Sequence, residues 1–134
     1  MQVKTNLAEL TQVLDWFARQ ELNMLPQPIW LQCQTALAEG FTNAVRHAHR
    51  GKPEETPIDI DITLLDQQLE IRIWDYGAPF NLETMLQTIP DQVNQQATGG
   101  RGLKFIYRVA DQFYYTRVDG DRNCWLFVKR YNAN

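Results

Sequence analysis

Glu39, Asn43 and His47 stand four residues apart, a spacing that sets side chains in file along one side of a helix. A carboxylate, an amide and an imidazole in file, bordered by the small residues Ala36 and Gly40, can line a polar pocket. A solvated helix face fits the same pattern. Against that reading, Asn competes with its own backbone for hydrogen bonds, and Gly costs about 1 kcal/mol relative to Ala in a helix interior. Using both suggests a need for close approach and for an amide. Two further stretches carry possible chemistry. Asp75 has the parity of Ile71 and Ile73, so in a strand it points to the apolar side, where a carboxylate needs donors. Alternatively the strand has ended and Asp75 opens a turn with Tyr76 and Gly77. Gly100-Arg101-Gly102 precedes a helical pattern. Exposed N–H groups and a positive dipole end at such a helix start suit a phosphate, although turns and caps use Gly-x-Gly constantly.

The elements that must position these residues follow from periodicity. Residues 1–5 suit a short edge strand. Asn6 is a good N-cap with Glu9 as its box partner, and the first helix is expected to run to about residue 22, with Leu7, Leu10, Leu14, Phe17 and Ala18 on one face. A second helix over about 28–49 carries the Glu-Asn-His line. Its apolar stripe is Leu37, Phe41, Ala44 and Ala48, roughly 120° round from the polar line at about 100° per residue. Gly51, Lys52 and Pro53 end it. The period then changes to two. Ile58, Ile60, Ile62 and Leu64, then Leu69, Ile71 and Ile73, alternate with mostly polar residues around a turn at 66–68, an antiparallel hairpin with one wet face. Asp59, Asp61 and Arg72 belong to the wet face. Residues 82–89 suit a short helix capped by Asn81, and the polar stretch 90–101 suits a lid. A helix over 103–110 and a second hairpin, 112–118 with 124–131, complete the chain. Tyr114, Tyr115, Trp125 and Phe127 read most simply as core or sheet packing. The fold class expected is α+β, a two-layer sandwich with helices on one face of a mixed, mostly antiparallel sheet.

A chain of 134 residues suits one domain with a real core. The net charge of −3 argues against general nucleic-acid binding, which relies on a basic field. Basic residues are local, at Arg46, Arg50 and Lys52 and again at Arg101, Lys104 and Arg108, and such clusters can serve a phosphate ligand. No apolar run approaches a membrane span, and the start of the chain does not read as a signal peptide; a cytoplasmic location is expected. Cys33 and Cys124 lack metal-type spacing and read as buried thiols. His47 and His49 diverge on a helix and do not have zinc-ligand spacing.

In chain order, Glu39-x-x-x-Asn43-Ala44-x-x-His47 on a helix, Asp75-x-Gly77-x-Pro79-Phe80 at a strand end, and Gly100-x-Gly102-Leu103 opening a helix together resemble the GHKL (Bergerat-fold) ATPases. The set looks most like their anti-sigma-factor branch, the bacterial serine-protein kinases that bind sigma factors. The resemblance covers nearly all of residues 1–134, read as a single ATP-binding kinase domain. It implies that Asn43 binds Mg²⁺ through its amide oxygen, that Asp75 accepts the adenine amino proton, and that Gly77 lets the base lie on the backbone. Gly100 and Gly102, with Thr98, Arg101 and Leu103 in the same nucleotide-binding segment, would meet the phosphates, with Lys104 helping to offset their charge. His47 belongs to the nucleotide motif and would orient a neighbour or cap the site. Glu39 would be the general base, acting on a protein serine or threonine hydroxyl in the kinase branch and on water in the ATPase branch. Ala78-Pro79-Phe80 fits the anti-sigma branch better than the histidine-kinase one. Where many members carry a Thr near adenine, this chain has Asn123-Cys124.

The function implied is that of an ATP-dependent serine/threonine kinase and anti-sigma factor. It would phosphorylate an anti-anti-sigma (STAS) antagonist, engage a sigma factor, form a homodimer, and contact neither nucleic acid nor membrane. Two other readings stand beside it. One is a non-catalytic Mg-ATP switch acting on a protein partner. The other is an interaction module that binds no nucleotide.

Overall fold

The computed structural model describes residues 1–79 and 100–132. The short helix expected over 82–89 with its Asn81 cap, the stretch 90–99 and Thr98 within it, and Phe80 lie outside the described residues.

Five strands form one sheet: β1 (Gln2–Val3), β2 (Ile58–Leu65), β3 (Gln68–Asp75), β4 (Gln112–Arg117) and β5 (Asn123–Arg130). Their spatial order is β1-β2-β3-β5-β4. The sheet was expected to be mixed and mostly antiparallel; every pairing among the described residues is antiparallel. Both hairpins stand where the period-two runs place them. The last strand is not at an edge. It inserts between β3 and β4, so that Asn123 pairs with Asp75.

Helix α1 (Leu10–Ala18) follows a single 3₁₀ turn, Leu7–Glu9. The Asn6 side chain accepts from the Ala8 N–H at 2.9 Å, the cap expected of it. Instead of meeting a Glu9 box partner, its amide donates to Glu54 across the fold. The tighter first turn shifts the helix phase. Val13 and Phe17 are fully buried, whereas Leu7 is 38% exposed and Ala18 faces solvent. The helix also stops short of residue 22.

Helix α2 (Gln27–Asn43) continues into a wider π turn, Ala44–Ala48. It packs on β3 and β5, with α1 and α3 (Gly100–Val109) beside it. Leu37, Phe41 and Ala44 of the expected stripe are buried with Cys33 and Ala36 against Ile71, Ile73, Trp125 and Phe127. The leucine, isoleucine and phenylalanine side chains among them contribute roughly 1.5–3 kcal/mol each when fully buried. Ala48 is only half-buried, because the π turn carries it off the stripe. Both cysteines are buried and free, and burial pushes the Cys33 thiol up to about 12.

Gly40 is where helix meets sheet. A Cβ there would lie 2.6 Å from Ile73 Cδ1 and 2.9 Å from Trp125 Cζ2. The close approach suggested by its presence is therefore to the sheet. Gly40→Ala is expected to lose roughly 1 kcal/mol of stability, because overpacking costs about 2 kcal/mol, the middle of its usual range, against a helix-propensity gain of about 1 kcal/mol. Urea unfolding with no loss of midpoint would contradict this close packing.

Candidate functional site

The π turn closes with the His49 N–H on the Ala44 carbonyl at 2.9 Å. Wide turns of this kind break the regular stacking of side chains and recur at functional sites. Glu39, Asn43 and His47 nonetheless share one wall. With Thr42, Leu103, Ile106 and Trp125 they line a cavity of about 10 Å³. The Glu39 carboxylate lies directly against the start of α3: a Cβ on Gly102 would stand 2.0 Å from Glu39 Oε2. Gly102 is thus required by the carboxylate it touches. Burial pushes the Glu39 carboxyl up from its ordinary value, with Arg46 opposing. His47 is held below its usual range by burial and by Arg50 and Arg46.

A second, open cavity of about 430 Å³ shares Asn43 and His47 with the first. Its remaining walls include Arg50, Lys52, Ala78, Pro79 and Tyr115. Its size falls within the range of about 300–1,000 Å³ common for small-molecule and cofactor sites. The cations at the end of α2 give one wall a charge suited to an anion.

Asp75 ends β3 and is 1% exposed. It points inward, as its parity requires, and it also makes the turn. Its Oδ1 accepts from the Gly77 N–H at 2.8 Å and from Asn123 Nδ2 at 3.0 Å. Its Oδ2 accepts from the Tyr115 hydroxyl. Asn123 Nδ2 also reaches the carbonyls of Gly77, at 3.1 Å, and Ala78, at 3.2 Å. Arg117 donates to the Gly77 carbonyl at 2.7 Å. Gly77 packs so closely on the π turn that a Cβ would fall 2.8 Å from the Ala48 carbonyl oxygen. The turn is thus clamped from both sides.

Tyr115, Asn123 and Arg117 were not legible as site residues. Tyr115 was expected to serve packing; its ring is half-buried and its hydroxyl serves Asp75. Burial, reinforced by the Asp75 charge, pushes that phenol far up. Tyr114, also expected to pack, is 50% exposed. The one available signal was Asn123 in the position where a Thr was expected.

His49 was likewise missed. It is 2% exposed and ties three segments together. Its Nε2 accepts from the Tyr76 N–H at 2.8 Å, so the ring proton sits on Nδ1, which faces Thr5 Oγ1 at 2.7 Å. The Thr5 hydroxyl is free to accept there because it donates to the Thr56 carbonyl. Burial, with a smaller push from Lys52, lowers the His49 pKa below 6.5, and Asp75 opposes the shift. The unfolded chain therefore takes up a proton near pH 6.5 that the native ring refuses. Stability is expected to fall as pH drops below about 6.5, with a shallower slope in His49→Gln. Denaturant midpoints at pH 7.5 and 5.5 check this, and equal slopes in the two proteins would refute it.

Of the residues singled out in the sequence, Glu39, Asn43, His47, Gly102 and Leu103 meet at one place, and Asp75 and Gly77 form the adjoining turn. Gly100 and Arg101 lie in the first turn of α3. Among the described residues, no helix is long and apolar enough to cross a membrane, and no cluster of three or more His, Cys, Asp or Glu residues forms a metal site.

A sequence stretch in "Serine-protein kinase RsbW" of Listeria innocua is 37% identical over 87 residues, covering 60% of this chain and 55% of that protein. The protein of the same name in Bacillus pumilus is 31% identical over 83 residues, covering 58% and 51%. The matched stretch thus spans about half the length of these relatives. In solved structures, the fold resembles the catalytic domain of the histidine kinase ThkA, with a TM-score of 0.53 at 14% identity over 97% of this chain and 95% of that one. It also resembles the Acinetobacter baumannii histidine kinase AdeS, with a TM-score of 0.56 at 15% identity over 98% and 68%. Residues 3–129 match the model of the histidine kinase-like ATPase domain, and the chain belongs to that family.

Proposed function

We propose that residues 1–134 act as an ATP-dependent serine/threonine protein kinase and anti-sigma factor in the cytoplasm, phosphorylating an anti-anti-sigma antagonist of the STAS type. The observation that carries this reading is the meeting of a partly buried carboxylate, Glu39, with Asn43 on one side and the glycine-led start of α3 on the other. In this reading ATP lies in the larger cavity, with its base toward the Asp75–Gly77 turn and its phosphates toward α3 and Asn43.

The residues fit Mg²⁺ and a triphosphate. Asn43 brings a neutral oxygen of the kind hard cations prefer, and Arg50 and Lys52 border the same cavity. When bound, Mg²⁺ supplies charge neutralisation to the phosphate oxygens. The chain itself supplies position and proton transfer. The N–H groups at Gly100 and Gly102 present donors to phosphate oxygens, with Arg101 and Leu103 in the same first turn and Thr98 ahead of it. Glu39 takes the proton of the attacking protein hydroxyl as its oxygen bonds to the γ-phosphorus and ADP leaves. Burial raises the Glu39 carboxyl, which strengthens it as a base. His47 orients its neighbours at the cavity wall. The antagonist and a sigma factor are the partners, and the active form is a homodimer.

Thermal unfolding with and without Mg-ATP, in wild type and in Asn43→Ala, tests the nucleotide site. A ligand at 100 times its dissociation constant adds about 2.7 kcal/mol, a shift of several degrees for a domain of this size. The shift is expected in wild type and is expected to collapse in the variant. Labelled ATP with a candidate STAS antagonist then tests the reaction. Nucleotide binding without any serine or threonine phosphorylation would leave the non-catalytic Mg-ATP switch. No thermal shift in wild type would reject both.

A further inference from the structure

Trp125 Nε1 and His47 Nε2 are sealed from solvent and have no hydrogen-bond partner among the described residues. Trp125 as a whole is 2% exposed. A buried donor left unsatisfied is costly, and a buried indole N–H normally finds a partner. The indole cannot easily turn to look for one. Phe113 meets it edge-on at 5.1 Å and Phe127 stacks on it at 6.1 Å, and Gly40 lies so close that a Cβ there would fall 2.9 Å from Trp125 Cζ2. Both orphaned atoms belong to residues that line the same cavity as Glu39. At about 10 Å³ that cavity has room for roughly one water.

We propose that this cavity is a binding site for a single water that joins Trp125 Nε1–H, His47 Nε2 and the Glu39 carboxylate, which makes Trp125 and His47 positioning residues for Glu39. The functional consequence rests on the reading of Glu39 as the base; the water site does not. Donors and acceptors balance. The indole only donates, so the water oxygen accepts from it. The two water hydrogens then go to the unprotonated nitrogen of a neutral His47 and to one Glu39 oxygen. Three partners lie within the usual range for a buried water. Thr42 and Asn43 line the same cavity and can occupy the remaining lone pair. Gly102 bounds the carboxylate on one side and the bridged water holds it on the other, so its aim toward an incoming hydroxyl is set before a substrate arrives.

The test uses the unliganded, ¹⁵N-labelled protein. Its four Trp give distinct indole signals, and that of Trp125 is identified by its loss in Trp125→Phe. A water cross-peak to the Trp125 indole proton is expected, with the opposite NOE and ROE signs of a long-lived bound water. Glu39→Gln and His47→Leu should each move the Trp125 indole resonance while the other indole signals stay in place. No such cross-peak, or a resonance indifferent to both substitutions, overturns the site. In transfer from Mg-ATP to the STAS-type antagonist, Trp125→Phe is expected to lower kcat about tenfold, the upper end for one neutral hydrogen bond, with KM for ATP unchanged. An unchanged kcat overturns the positioning role. A bound-water cross-peak in a protein that binds no ATP would support the water site and reject the kinase reading.

Discussion

Glu39→Gln is expected to reduce phosphoryl transfer by roughly 10²–10⁴-fold, the usual contribution of a positioned base, while Mg-ATP still raises the melting temperature as in wild type. The amide preserves the shape of the carboxylate and its place against Gly102, so the loss falls on proton transfer alone. Gly102→Ala should reach a similar end by displacement. A Cβ there would overlap the far end of the Glu39 side chain, at 2.0 Å from Oε2 and 2.6 Å from Cδ. That end is flexible and can swing away at little cost. Alanine is also the better helix former by about 1 kcal/mol. The variant should therefore be as stable as wild type and poor at transfer, and single-turnover assays beside melting curves would show that split. If Glu39→Gln transferred phosphate at the wild-type rate, Glu39 would not be the base, and the non-catalytic switch would become the better account.

Asp75→Ala is expected to abolish the Mg-ATP thermal shift and to lower stability by on the order of 3 kcal/mol or more. The Gly77 N–H, Asn123 Nδ2 and the Tyr115 hydroxyl all converge on this carboxylate. Each buried donor stranded by its removal costs about 1–3 kcal/mol. Asn123 and the Gly77 N–H recover part of that through neighbouring carbonyls or entering water. Asp75→Asn separates the two effects. It keeps the volume and one acceptor, so it should fold with a smaller penalty, yet its own amide hydrogens face Tyr115 or Asn123 and disturb the clamp. Chemical denaturation measures the stability term, and the ATP-dependent melting shift measures the ligand term. An Asp75→Ala protein as stable as wild type would mean that the convergent donors have other partners.

Much of the local structure was legible because it depends on neighbours in sequence. Alternating Ile residues after Pro57 and the hairpin around residues 66–68 follow from the period-two pleat. Asn6 caps because its side chain and the first N–H groups are two residues apart. The inward aim of Asp75 follows from strand parity once the strand is taken to reach residue 75. Legibility ended where phase or long-range pairing intervened. One 3₁₀ turn before α1 replaced Leu14 with Val13 on the buried face, and the π turn moved Ala48 off the stripe and set His49 beneath the Asp75 turn. No periodicity argument anticipates either turn, because both depend on how the helix end meets the rest of the protein.

By itself, then, the sequence determined the order of helices and strands, the file of Glu39, Asn43 and His47, the inward carboxylate at residue 75 and the glycine-led start of the helix at residue 100. These are properties of spacing along a chain. Only the tertiary structure decided that β5 lies beside β3, which brings Asn123 into register with Asp75 and Trp125 up to Gly40 and the Glu39 cavity. Strand order is set by which apolar faces cover one another across the whole sheet, and residues forty-eight apart carry no local signal of that choice.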